Sequence, residues 1–281
     1  ILQLDESTIK SFIESNEQLK QYEFDLKLIN EKRPHILDAD TEKLLTEAQD
    51  ALSTPSNVYG MFSNADLEFE DAVDKDGESH PLTQGTFIKY LESDDRQLRE
   101  SAFRNVYKAY GAHNNTLGAT LAGEVKKNVF NAITHNYSSA RERALSNNHI
   151  PEGVYDNLVK TVHKYLPLLH RYTQLRKELL GIDDLKMYDL YTPLVKDVKF
   201  EMPYEKAKTW MLKALEPMGD EYLRVVKEGL ENRWVDVFEN KGKRSGGYSS
   251  GAHLTNPFIL LNWTDTVSDL YTLCLLYTSD A

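Results

Sequence analysis

Apolar residues recur along most of this chain at the spacing of a helix. Ile9, Phe12, Ile13, Leu19, Leu26 and Ile29 stand between polar positions up to Pro34, and Leu44, Leu45, Ala48 and Leu52 repeat the pattern after Asp38. Two antiparallel helices are the simplest arrangement for 1–52. From Asp66 the period shortens to two, with Leu67 and Phe69 alternating with Glu68 and Glu70, and Asp74-Lys75-Asp76-Gly77 supplies turn chemistry. A β-hairpin between helices follows. Helical periods resume over 83–91, from Ser93 as N-cap to Tyr110, and over 114–133. Pro151, suited to a first helical position, opens a further helix that runs to Leu180 and a C-cap at Gly181. Beyond it, 186–194 reads as extended, 204–218 and 220–230 as helices, and 233–238 as a strand.

The stretch 242–273 changes character three times. Its first part, Gly242 to Gly251, is rich in glycine and serine, so the backbone can bend and approach another chain closely. Pro257-Phe258-Ile259-Leu260-Leu261-Asn262-Trp263 is an apolar run fitted to a buried strand. Thr264 then caps a helix whose Val267, Leu270 and Tyr271 share a face, with Asp265 and Asp269 in its first turns. The extended segments of the last hundred residues together predict one small sheet. The fold class is therefore mainly α, with a hairpin in the N-terminal part and a small sheet near the C-terminus.

Composition narrows the functions. The 281 residues are 41% hydrophobic and 27% charged, enough for a substantial core, and the net charge of −11 opposes nonspecific binding to nucleic acid or anionic membrane. The single cysteine, Cys274, excludes a disulfide framework and a thiolate zinc cluster, and fits a reducing compartment. No apolar run is long enough to span a membrane. Because the chain opens on Ile1, it reads as a piece of a longer protein.

Seven motifs in order carry a resemblance. Pro55-Ser56-Asn57, Asn64-Ala65-Asp66-Leu67, Leu91-Glu92-Ser93 before Arg96, Asn148-His149-Ile150-Pro151, Tyr188-Asp189-Leu190-Tyr191-Thr192-Pro193-Leu194, Gly242-Lys243-Arg244-Ser245-Gly246-Gly247-Tyr248 and Pro257-Phe258-Ile259-Leu260-Leu261-Asn262 resemble the oligoendopeptidase F family of zinc metalloendopeptidases, relatives of thimet oligopeptidase. The resemblance implies a multi-helical zincin-type fold, a cytoplasmic location and short peptide substrates. It divides the chain into a helical hairpin (1–52), an N-terminal module (53–134) and the start of the peptidase domain (135–273).

In that family the helix similar to the one after Thr264 runs into an HExxH motif, whose histidines bind zinc and whose glutamate is the general base. Here Leu273 is followed by Cys274-Leu275-Leu276-Tyr277-Thr278-Ser279-Asp280-Ala281, with no His-Glu pair. These eight residues resemble read-through of foreign or adaptor sequence; a divergent natural end is the other reading. The fragment is thus expected to hold no zinc, to be inactive alone, and to expose apolar surface where missing helices would pack.

The eight histidines offer no substitute, since no two stand four apart; His163 and His170, seven apart, would lie about 10 Å apart along a helix axis. Asp189, between aromatics, reads as a buried structural carboxylate. Catalytic and metal-binding residues are therefore none, and the substrate-binding candidates are Gly247, Tyr248, Ser249, Ser250, Gly251 and His253, which would take an extended peptide by strand addition. A plain flexible loop is the plainer reading of the same glycines. A noncatalytic helical peptide-binding or scaffold protein is the alternative for the whole chain, and the oligomeric state is left open.

Overall fold

The structure is a computed structural model that describes residues 1–2, 4–195, 200–240, 242–252 and 254–279. In chain order its helices are α1 (Glu6–Ser15), α2 (Glu23–Glu31), α3 (Ala39–Leu52), α4 (Thr54–Met61), α5 (Gln84–Leu91), α6 (Arg96–Gly111), α7 (Asn114–Thr134), α8 (Ala140–Ser146), α9 (Glu152–Leu180), α10 (Tyr204–Ala214), α11 (Asp220–Glu231) and α12 (Val267–Ser279). The strands are β1 (Ala72–Val73), β2 (Ser79–His80), β3 (Val235–Phe238), β4 (Tyr248–Ser250) and β5 (Phe258–Trp263). The mainly α class with two small sheets agrees with the hydrophobic pattern. The chain forms two compact units, 1–59 with 115–166, and 60–114 with 167–281.

In the first unit the expected pair of helices over 1–52 is three. Asn16 breaks the first: its extended backbone ends α1, and its side chain accepts from Gln18 N at 3.0 Å to start a 3₁₀ turn over Glu17–Tyr22. Local bonds from a short amide compete in this way with the helix. Asp5 and Asp38 cap α1 and α3 by accepting from backbone N–H groups one turn on. The 115–166 piece is tied to the first by His35, whose Nδ1 lies 2.8 Å from the His135 carbonyl and whose ring stacks on Tyr137 at 3.6 Å. At Gly123 a Cβ would sit 2.7 Å from Pro55 Cγ, so glycine lets α7 approach α4.

The second unit holds two apolar clusters. One gathers Ala72, Leu82, Leu98, Ala102 and Val106 between the hairpin, α5 and α6. The hairpin exists where its turn was expected, with Gly77 at φ +82° and Asp74 Oδ1 accepting from Asp76 N and Glu78 N. Its strands are two residues each, however, and Leu67 and Phe69 lie before them in irregular chain, because 62–66 coils into a π turn first. The N-cap of α6 is Asp95 and not Ser93: Asp95 Oδ1 accepts from Gln97 N at 2.9 Å, while Ser93 Oγ accepts from Asp95 N.

The segment 186–194 is not a strand. It forms a 3₁₀ turn over Met187–Asp189 because Asp189, fully buried, is drawn onto α6. Its carboxylate accepts from Arg99 Nη2 at 2.8 Å, from Arg96 Nε and Nη2 at 3.1 and 3.0 Å, and from Lys186 N. Burial alone would raise this carboxyl, but the bonds from Arg96 and Arg99 outweigh it and hold it below the usual carboxylate range. Buried Arg176, on α9, donates to the Asp189 and Thr192 carbonyls. α9 itself stops as predicted at Gly181 (φ +66°), with Gly181 N and Ile182 N donating to the Glu178 and Lys177 carbonyls.

The other cluster is the larger core. Met202, Ala207, Met211 and Leu215 from α10 and its flanks meet Val226 of α11, Ile259, Leu261 and Trp263 of β5, and Leu273 and Tyr277 of α12. Pro217 ends the expected 204–218 helix at Ala214 and leaves a 3₁₀ turn over Glu216–Met218. The sheet order is β3-β5-β4, with β5 parallel to β3 and antiparallel to β4. Of the extended segments read from sequence, 233–238 and 257–263 enter this sheet and 186–194 does not; β4, from the glycine-rich stretch, takes the third place.

Candidate functional site

The candidate site is built on the central strand β5. Its burial alternates: Ile259, Leu261 and Trp263 face the core, and Phe258, Leu260 and Asn262 face the other way. β4 pairs with it in the register Tyr248↔Leu260, Ser249↔Ile259 and Ser250↔Phe258. Tyr248 and Ser250 therefore share one face of β4 and Ser249 the other. β4 lies at the edge of the three-stranded order, and an edge strand is the ordinary template for another extended chain.

Side chains of β5 and of the preceding loop hold β4 in place. Asn262 Nδ2 donates to the Arg244 and Gly246 carbonyls at 3.0 and 2.8 Å, fixing the turn that leads into the strand. Lys243, whose side chain is 4% exposed, reaches back to β3 and donates to the Phe238 carbonyl at 2.7 Å, with Asp236 Oδ1 at 3.1 Å. Gly246 turns the chain at φ +94°, and at Gly247 a Cβ would stand 3.0 Å from Thr272 Cγ2 and 3.3 Å from Leu261 Cδ2. The glycines are thus needed for backbone conformation and for close approach to α12 and β5. The reading of 242–251 as a plain flexible loop does not fit, since 248–250 is a strand.

The candidates Gly247, Tyr248, Ser249, Ser250 and Gly251 are consecutive along this edge; His253 lies outside the described residues. Ser249, Ser250 and Gly251 line a groove of about 1050 Å³ together with Tyr222, Val225 and Val226 of α11, Trp234 and Pro257. The lining mixes serine hydroxyls and backbone with apolar side chains such as Val225 and Trp234. Such a groove can take a chain whose backbone is bonded on one side and whose side chains are apolar on the other.

α12 starts two residues later than the sequence pattern predicts. Thr266 and not Thr264 is the cap: Asp269 N donates to Thr266 Oγ1 at 3.2 Å, and Asp269 Oδ2 accepts from Thr266 N at 2.9 Å and from Thr264 N at 2.9 Å. Asp265 adopts φ +65° to make this corner, its carbonyl accepting from Met202 N and its carboxylate from Trp263 Nε1. Burial, reinforced by the Asp269 carboxylate, raises the Glu92 carboxyl beside the corner. The helix does not stop near Leu273 but continues to Ser279, with Tyr277 buried and its carbonyl accepting from Tyr222 Oη.

Among the described residues one cluster has the donor types of a metal site. Asp74, Glu78 and His80 are the group of three His, Asp or Glu side chains among the described residues whose ligand atoms lie within 4.8 Å of one another. Two of them are bonded within the hairpin: Asp74 Oδ1 accepts two backbone N–H groups of its own turn and Oδ2 lies 2.8 Å from His80 Nε2. The group closes a hairpin. Among the described residues no helix is long and apolar enough to cross a membrane.

Residues 89–280 match the model of peptidase family M3, and residues 1–69 match that of oligopeptidase F. The chain belongs to peptidase family M3, in agreement with the resemblance carried by its motifs. It is 53% identical to oligopeptidase PepF of Bacillus subtilis, over 97% of this chain and 41% of that protein. It is 42% identical to group B oligopeptidase PepB of Streptococcus agalactiae, over 97% of this chain and 45% of that one. The chain thus spans less than half the length of these curated relatives. Among solved structures, oligoendopeptidase-F from Enterococcus faecium superposes with a TM-score of 0.66 at 43% identity, over 82% of this chain and 43% of that chain. A PZ peptidase A structure shares the fold with a TM-score of 0.72 at 21% identity, over 93% and 46% of the two chains.

Proposed function

We propose that this chain supplies the peptide-binding edge of an oligoendopeptidase F-type enzyme of the cytoplasm, with short peptides as substrate. The observation that carries the reading is β4 itself, an edge strand held by Asn262 and opened by glycines beside a groove of about 1050 Å³. An extended peptide adds alongside Gly247 to Gly251, its backbone aligned by the strand and its apolar side chains in the groove against Val225 and Trp234. His253 belongs to the same proposed edge. On this reading 53–134 is an N-terminal module and 135–273 opens the peptidase domain. Hydrolysis of internal peptide bonds by zinc-activated water belongs to the full-length enzyme, whose zinc ligands this chain does not carry, and the chain alone binds without cleaving.

The test is an NMR titration of the labelled chain with an extended apolar peptide of about six residues, a length that strand addition accommodates. Amide shifts concentrated at 247–251 are expected. Shifts elsewhere, or none at millimolar peptide, would refute the edge. Metal analysis of the same preparation addresses the second part, because tightly held stoichiometric zinc is incompatible with the missing ligands.

A further inference from the structure

Asp74, Glu78 and His80 offer two carboxylates and an imidazole whose ligand atoms lie within 4.8 Å of one another. The hairpin places them. Asp74 and Glu78 flank the turn at Gly77, and His80 stands on β2 opposite Ala72. The two backbone bonds to Asp74 Oδ1 fix the carboxylate and leave Oδ2 toward the His80 ring, 2.8 Å from Nε2. Glu78 is exposed, so its side chain can turn onto the other two. Across 71–80 the carboxylates of Asp71, Asp74, Asp76 and Glu78 stand against one lysine, Lys75, a surplus of negative charge that draws cations to the hairpin.

We propose that this hairpin is a binding site for a first-row divalent ion such as zinc, held by Asp74 Oδ2, a Glu78 carboxylate oxygen and His80 Nε2, with water completing its shell. The donors select the ion. Imidazole suits zinc, copper or nickel, whereas magnesium and calcium are held by oxygen. Nitrogen and oxygen donors stand about 2.0–2.2 Å from a zinc ion, so a small inward turn of Glu78 closes the set. The ion takes the place of the proton between Nε2 and Asp74 Oδ2, and the ring binds as neutral imidazole with its proton on Nδ1. The consequence is structural. β1 and β2 have two residues each, a ladder too short to hold a hairpin on its own. Ligands from the turn and from β2 tie the two together, and the ion stabilises the folded hairpin because it binds no other form as well. A surface site of three donors exchanges its ion with the medium, which separates it from a tightly held peptidase zinc. The inference is independent of peptide binding at β4.

The test is an NMR titration of the untagged, EDTA-dialysed chain with zinc alone. Shifts at the amides of 74–80 and at the His80 ring are expected to follow a single-site curve, with none on adding magnesium. His80→Ala and Glu78→Gln should each weaken the site by about tenfold or more, since even outer-shell partners of a metal cost that much. The His80 ring lies 6.0 Å from that of Tyr90, so its loss can loosen the hairpin; Glu78 is exposed, and Glu78→Gln removes a donor without that effect. Zinc should also raise the thermal midpoint of the parent more than that of Glu78→Gln. Absence of shifts at 74–80 at millimolar zinc overturns the inference, as does unchanged affinity in either variant. Shifts confined to other histidines, such as His149 beside Glu31, overturn it as well.

Discussion

Asn262 Nδ2 lies 2.8 Å from the Gly246 carbonyl and donates to it, so a side chain of the central strand fixes the turn from which the edge strand departs. The same atom also holds the Arg244 carbonyl at 3.0 Å. Replacing Asn262 with Ala leaves both carbonyls without that donor and costs about 1–2 kcal/mol of stability, with the loss concentrated in 244–250. Faster hydrogen exchange at 246–250 and peptide affinity about tenfold weaker are expected, 1.4 kcal/mol being a factor of ten. Unchanged exchange at β4 would show that the strand does not depend on Asn262.

Glycine positions separate by what surrounds them. Gly247→Ala drives a methyl to 3.0 Å from Thr272 Cγ2 and should cost about 1–3 kcal/mol, as overpacking does. Gly118 lies inside α7, where an added methyl group would meet nothing within 4 Å, so Gly118→Ala should stabilise by about 0.5–1 kcal/mol. Urea unfolding of the two variants reads opposite signs; the same sign for both would count against the close approach of β4 to α12.

The corner before α12 depends on one carboxylate. Asp269→Ala removes the acceptor for Thr264 N and Thr266 N and should destabilise by about 1–2 kcal/mol, the usual worth of a helix cap. Thr264→Val keeps the backbone bond and loses only the 3.1 Å hydroxyl contact, so its effect should be the smaller of the two in thermal unfolding.

The mainly α class, the hairpin turn at Asp74 to Gly77, the stop of α9 at Gly181 and the strand character of 233–238 and 257–263 were legible because each rests on local chemistry: a period, a turn residue, a cap. The departures have non-local causes. The segment 186–194 carries the residues of a strand, but Asp189 is pulled into a turn by Arg96 and Arg99, some ninety positions away. The start of α12 moved from Thr264 to Thr266 because Asp265 takes a positive φ to bond Met202, about sixty positions earlier. At the candidate site, glycine content pointed to the edge strand, while Asn262 and Lys243, which hold it, are an amide in an apolar run and a lysine in a loop. A serine- and glycine-rich turn followed by an asparagine on the outward face of the next strand is the signal that could have found the first of them.

Asp189 gives the sharpest pH dependence. Its folded carboxyl lies below the usual range, so it contributes stability that is fully present above the unfolded value of about 3.9 and is lost as pH falls through the lower folded value. Asp189→Asn preserves the volume and removes the charge that pairs with Arg99, which is itself 3% exposed. The variant should be less stable than the parent by about 3–5 kcal/mol at pH 7, because a buried guanidinium is left unpaired. The difference should hold down to about pH 5 and shrink below about pH 4, where the unfolded parent takes up a proton at Asp189 before the folded one does. Urea unfolding of both proteins between pH 7 and pH 3 measures it. A difference that grows on acidification would mean that Asp189 is protonated in the native state and that Arg99 is balanced by another group.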